Sequence, residues 1–107
     1  MSLNEKLILE NSHELWNGKH NNSFIDLLTS QNTFDLKKYS EIIETITKLD
    51  DKEKTKYKVY VFNILKDIIR YLSYHLDPRD SYKLTDCSFD IVKIIDETIN
   101  IFYSLMC

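Results

Sequence analysis

Apolar residues return every three or four positions along most of this chain, the interval that gathers them on one side of an α-helix. Near the start, Leu3, Leu7, Ile8, Leu15 and Trp16 form one broad stripe, interrupted by Asn11 and Ser12, and predict a helix over residues 3–16. Ser2 and Glu5 have the spacing of a capping box at its head. Gly18 is placed to end it, because glycine enters the left-handed conformation at little cost. Ser23 and Asp26 then cap a short helix over residues 24–30. A third helix, over 34–49, carries Leu36, Tyr39, Ile43, Ile46 and Leu49 on its apolar side, with Lys37, Lys38, Glu41, Glu44 and Lys48 opposite.

Two longer helices follow. Asp50 and Glu53 repeat the capping-box spacing before a helix over 52–76. Its stripe is Tyr57, Val61, Ile64, Leu65, Ile68, Leu72 and Leu76, widened by Tyr60, Phe62, Ile69 and Tyr71. So wide an apolar arc predicts a central helix with several neighbours. This helix exceeds its partners in length, so one end projects or bends. Pro78 stops it, since proline disfavours a helical residue before it and cannot continue the ladder. After a loop, Asp86 or Ser88 caps a last helix over 88–106. Its stripe is Val92, Ile95, Ile99, Phe102 and Met106, with Ile91, Ile94 and Leu105 beside it, and Asp90, Lys93, Asp96, Glu97 and Asn100 toward water.

The expected fold is therefore all-α: a single-domain antiparallel bundle of four main helices plus the short one. Thirteen isoleucines and the run Val59-Tyr60-Val61-Phe62 would suit a strand locally. Sustained helical spacing with caps outweighs propensities worth roughly tenths of a kcal/mol per residue. A single glycine and a single proline argue against a turn-rich sandwich and exclude glycine-rich nucleotide loops.

A formal charge of −3 is the wrong balance for a dedicated nucleic-acid binder and favours a basic protein partner. No apolar run approaches the roughly 20 residues that span a bilayer, and the first residues carry no signal-peptide pattern. Cys87 and Cys107 show no metal spacing and read as reduced thiols of a cytoplasmic protein. No cofactor or metal is expected. Glu10-x-x-His13 has the carboxylate–imidazole spacing of di-iron bundles, but the second such pair those sites need is missing. Lys52, Lys54, Lys56 and Lys58 read as the exposed first turns of the long helix.

Arg70-Tyr71-Leu72-Ser73-Tyr74-His75 resembles the R-x4-6-H signature of HEPN-domain ribonucleases, small all-α bundles of toxin and defence systems. That resemblance implies RNA cleavage in which His75 transfers a proton and Arg70 holds the scissile phosphate, roles that imidazole and guanidinium can fill.

Around the same helix exit, Tyr71, Tyr74, Asp77, Arg79, Asp80, Tyr82 and Asp86 fall within sixteen residues. Tyrosine and arginine dominate interface hot spots, and carboxylates steer a basic partner. Short, acidic and helical, the chain resembles the bacterial immunity proteins of bacteriocin and contact-dependent growth inhibition systems. Helical colicin-nuclease inhibitors place paired tyrosines before a proline and acidic residues, and Tyr71, Tyr74, Pro78 and Asp80 are similar to that order. The adjacent tyrosine pair and short acidic helix of that family are absent here. The resemblance implies an inhibitor with no chemistry of its own, one that occludes the cationic active site of a toxin nuclease. The competing expectations are the HEPN-type ribonuclease and a viral or phage helical adaptor that binds a host protein.

Overall fold

A computed structural model describes residues 2–12, 15, 18 and 22–106. Among these residues every regular element is helical: α1 (Leu3–Glu10), α2 (Phe24–Ser30), α3 (Leu36–Thr47), α4 (Asp51–Leu76) and α5 (Ile91–Met106). Local chemistry explains most of the helix starts. Ser2 Oγ accepts from Glu5 N–H (3.1 Å), Ser23 Oγ from Asp26 N–H (3.2 Å), and Asp35 Oδ1 from Lys38 N–H (3.1 Å). At the head of α4 the full capping box forms: Asp50 accepts from Glu53 N–H (2.8 Å) and Glu53 accepts from Asp50 N–H (3.1 Å). Each bond satisfies a backbone donor that the helix itself cannot.

The third helix is two residues shorter at each end than expected and α4 starts one residue earlier, while two boundaries differ by more. The first helix ends at Glu10, well before residue 16, and Gly18 takes no left-handed conformation. Asn11 and Ser12 end it because they are needed inside. Asn11, 1% exposed, donates from Nδ2 to Leu7 C=O and accepts Ile25 N–H at Oδ1, both at 2.9 Å, so one amide joins the end of α1 to the head of α2. Ser12 Oγ donates to Ile8 C=O (2.8 Å). Leu15 is exposed, while Trp16 lies outside the described residues. The last helix starts at Ile91 rather than 88. Its cap is Asp90, which accepts Lys93 N–H (3.2 Å) at the side chain and Ile94 N–H (3.2 Å) at the backbone, not Asp86 or Ser88. Asparagine takes the left-handed turns here: Asn22 (φ 55°) and Asn32 (φ 52°), the latter just past α2 where glycine commonly stands.

The long helix α4 lies at the centre, packing against α1, α2 and most extensively α5, while α3 packs on α1 and α2. Its 26 residues run ~39 Å, matching the 41 Å long dimension of the molecule. One connected core joins Ile8, Ile25, Leu28, Ile42, Ile46, Ile64, Leu65, Ile68 and Leu72 with the ring cluster Phe24, Phe34 and Tyr39. Phe89 closes that cluster by stacking on Phe34 at 4.3 Å. The α5 stripe is rotated from its expected position. Ile94, Thr98 and Ile101 are buried, while Val92, Ile99 and Met106 face outward with Tyr103. Thr98 is admitted because its hydroxyl donates to Ile94 C=O (2.8 Å). Leu36 and Leu76 are likewise exposed rather than core.

Candidate functional site

The tyrosine- and carboxylate-rich segment lies where α4 ends. Tyr71 and Tyr74 stand three positions apart, neighbours on the helix surface, and their rings meet edge to face at 5.3 Å. Proline at 78 ends the ladder, Asp77 leaves helical geometry (φ −78°, ψ 115°), and the chain folds back.

Side chains then bend the loop upon itself. Asp77 accepts Arg79 N–H (2.9 Å) and the Arg79 guanidinium (3.2 and 3.4 Å), and Asp80 Oδ1 accepts Tyr82 N–H (2.8 Å). These are turns that aspartate makes by reaching its own backbone two residues on. Lys83 Nζ donates to three carbonyls, those of Asp77 (3.0 Å), Asp80 (2.7 Å) and Tyr82 (3.0 Å).

The result brings Tyr82 onto the other two rings, 5.3 Å from Tyr71 and 6.4 Å from Tyr74, all edge-on. Such pairs are worth ~0.5–1.5 kcal/mol each beyond the area they bury. The Tyr82 hydroxyl donates to Leu28 C=O, and burial pushes this phenol up to about 12, with Tyr71 beside it adding to the rise. Arg79 holds the Asp77 carboxyl below its usual range. Over residues 77–86, Asp77, Asp80 and Asp86 against Arg79 and Lys83 leave one negative charge in excess.

Beyond Tyr82 the loop is clamped to the body. Leu84 is buried, and its N–H donates to His75 Nδ1 at 2.9 Å. Asn32 Nδ2 donates to Lys83 C=O (3.0 Å), and Asn32 C=O accepts Thr85 N–H (2.9 Å). The left-handed conformation of Asn32 is what presents both of its groups to this loop.

The structure thus gathers Tyr71, Tyr74, Asp77, Arg79, Asp80 and Tyr82 at one place, with Asp86 exposed on the stretch leading to α5. It uses Tyr82 as a strut and leaves Tyr74 as the most exposed ring of the three. Arg70 and His75 are five residues apart and leave the helix about 140° from one another. Arg70 is exposed, and His75 turns its Nδ1 to Leu84. With Nδ1 accepting, the proton of the neutral imidazole sits on Nε2. The roles of His75 and Asn32 in holding the loop had no signal in the sequence, apart from an asparagine just after a helix end.

The other candidate chemistry stays dispersed. Among the described residues no group of three His, Cys, Asp or Glu side chains could hold a metal. Glu10 lies 3.9 Å from Lys6; His13 and Cys107 fall outside the described residues. Cys87 is exposed. In the lysine strip, Lys56 and Lys58 lie over the rings of Tyr57 (5.2 Å) and Phe62 (5.8 Å). Among the described residues no helix is long and apolar enough to cross a membrane. No protein-family model matches the sequence, and no curated protein or solved structure is significantly similar to it.

Proposed function

We propose that this chain is a protein-binding inhibitor of the immunity-protein type, acting in the cytoplasm without cofactor or chemistry of its own. It would neutralise a toxin, most naturally a basic nuclease, by occluding its active site. The observation that carries this reading is the edge-packed Tyr71–Tyr74–Tyr82 cluster, two rings from the end of α4 and one from a loop clamped to the body of the fold. Rigid aromatic anchors bind at low entropic cost, and the adjoining Asp77, Asp80 and Asp86 favour approach by a cationic surface. The scaffold behind them is read as an antiparallel bundle. In support, Asp51, Lys54, Thr55 and Lys58 at the start of α4 line the same surface cavity as Ser104, Leu105 and Met106 at the end of α5.

The test is capture from the native source on immobilised protein. Wild type should retain a basic polypeptide whose nuclease activity the free protein suppresses. The double variant Tyr74→Ala/Asp80→Asn should weaken that capture by ~30-fold, the equivalent of a ~2 kcal/mol hot-spot loss. Asparagine at 80 keeps an acceptor for Tyr82 N–H while removing the charge. Equal retention by the variant would remove this surface from the interface. Degradation of RNA by wild type but not by His75→Ala would replace the inhibitor reading with the ribonuclease one.

A further inference from the structure

The outward side of α5 carries an apolar strip that runs from Val92 to Met106 and is bordered by Asp96. Val92, Ile99, Tyr103 and Met106 are 66, 37, 65 and 66% exposed, and the helical repeat aligns them in a strip about 60° wide. Toward α4 the strip continues through the half-buried Ile95 and Phe102. There the Phe102 ring meets Phe62 at 5.4 Å, and Val59 is 67% exposed. Leu15, Val59, Phe62 and Phe102, together with the polar Asn63 and Lys66, line an open groove of about 470 Å³ at this edge. Together these residues expose on the order of 600–700 Å², most of it apolar, at the upper end of the ~300–600 Å² of the largest patch on a typical monomer. That area approaches the ~800 Å² that each partner contributes to a standard interface.

We propose that α5 is the two-fold interface of a homodimer. The occupant is a second copy because the strip matches itself when reversed. A two-fold axis through Ile99 sets Val92 against Met106 of the second copy. The same axis sets the Ile95–Asp96 pair against the second copy's Phe102–Tyr103. Asp96, the carboxylate that borders the strip, then meets a phenol that can donate to it. The reversal also keeps like charges apart: each Asp96 stands ~9 Å along the axis from its copy, and each Lys93 ~18 Å. Isologous two-fold dimers are the commonest closed assembly, and self-complementarity is what they require.

Sedimentation equilibrium across protein concentrations up to about 200 µM tests this, a range that saturates a standard interface of micromolar or tighter affinity. Wild type should show twice the 12.8 kDa chain mass. Ile99→Asp places two carboxylates together on the axis and should weaken dimerisation at least about a hundredfold. Met106→Lys, at an exposed site where folding is not in question, should weaken it as well. Both variants should keep the wild-type helical circular dichroism. A 12.8 kDa species at every concentration would overturn the proposal. So would a dimer indifferent to both substitutions, which would place the contact on another face. Mass is read without any toxin, so this assignment and the inhibitor reading can fail separately.

Discussion

His75 is the residue at which a structural and a chemical role make opposite predictions. In the fold its Nδ1 accepts the N–H of Leu84, a residue only 7% exposed, at 2.9 Å. His75→Ala deletes that acceptor and leaves a buried amide donor without its partner, a loss of ~1–3 kcal/mol for a fully desolvated group. His75 is half-buried, so the low end of that range applies, ~1–1.5 kcal/mol. The loop between α4 and α5 can open without the core, so the loss falls on the local equilibrium rather than on global unfolding. Hydrogen exchange at the Leu84 amide reads that equilibrium directly. Its protection should fall about tenfold in His75→Ala, while the amides of Ile64 and Leu65 in the buried core stay unchanged. His75→Asn offers an oxygen near the position of Nδ1 and should restore most of the protection. A proton-transfer role would not survive that replacement, because an amide does not titrate. Unchanged Leu84 protection in His75→Ala would refute the clamp, and so would an asparagine variant that opens as widely as alanine.

Tyr82 carries a pH dependence of definite sign. Its folded pKa is raised, to about 12, so its contribution to stability is full below the ordinary phenol value near 10 and is lost as pH climbs through 12. Tyr39, raised in the same direction by burial and by its 2.7 Å bond to Glu97, acts alike. Thermal melts of Tyr82→Phe should therefore decline less steeply across this alkaline window than those of wild type; parallel declines would contradict the assignment. At the head of α5, Asp90→Ala should cost ~1 kcal/mol, a fall of about 4 °C in Tm. Ser88→Ala and Asp86→Ala should stay within ~0.5 kcal/mol, and a larger effect at Ser88 would move the cap.

Helix identity and most helix starts were legible because the chemistry that makes them is local. A hydroxyl or carboxylate at position 2, 23 or 50 finds its N–H three residues on, and proline at 78 acts on the residue before it. The grouping of Tyr71, Tyr74 and Tyr82 was half legible. The first two share a helix face by spacing alone, whereas Tyr82 joins them only because Asp77, Asp80 and Lys83 fold the loop back. The phase of α5 was not legible. Its apolar residues cover about 200° of arc, so several registers satisfy the pattern equally well.

By itself, then, the order of residues determined an all-helical chain with a broad central helix and an aromatic, acidic exit from it. Tertiary packing decided which side of α5 turns inward, and why α1 stops at a buried asparagine. It also decided that His75 serves Leu84 and that asparagine, not glycine, takes the left-handed turns. The reason is one of range. Periodicity and capping are settled within a turn or two of helix, whereas some buried polar atoms find their partner only on a distant segment. Asn11 with Ile25 and Tyr39 with Glu97 are such pairings, and they exist only once the helices have chosen their registers against one another.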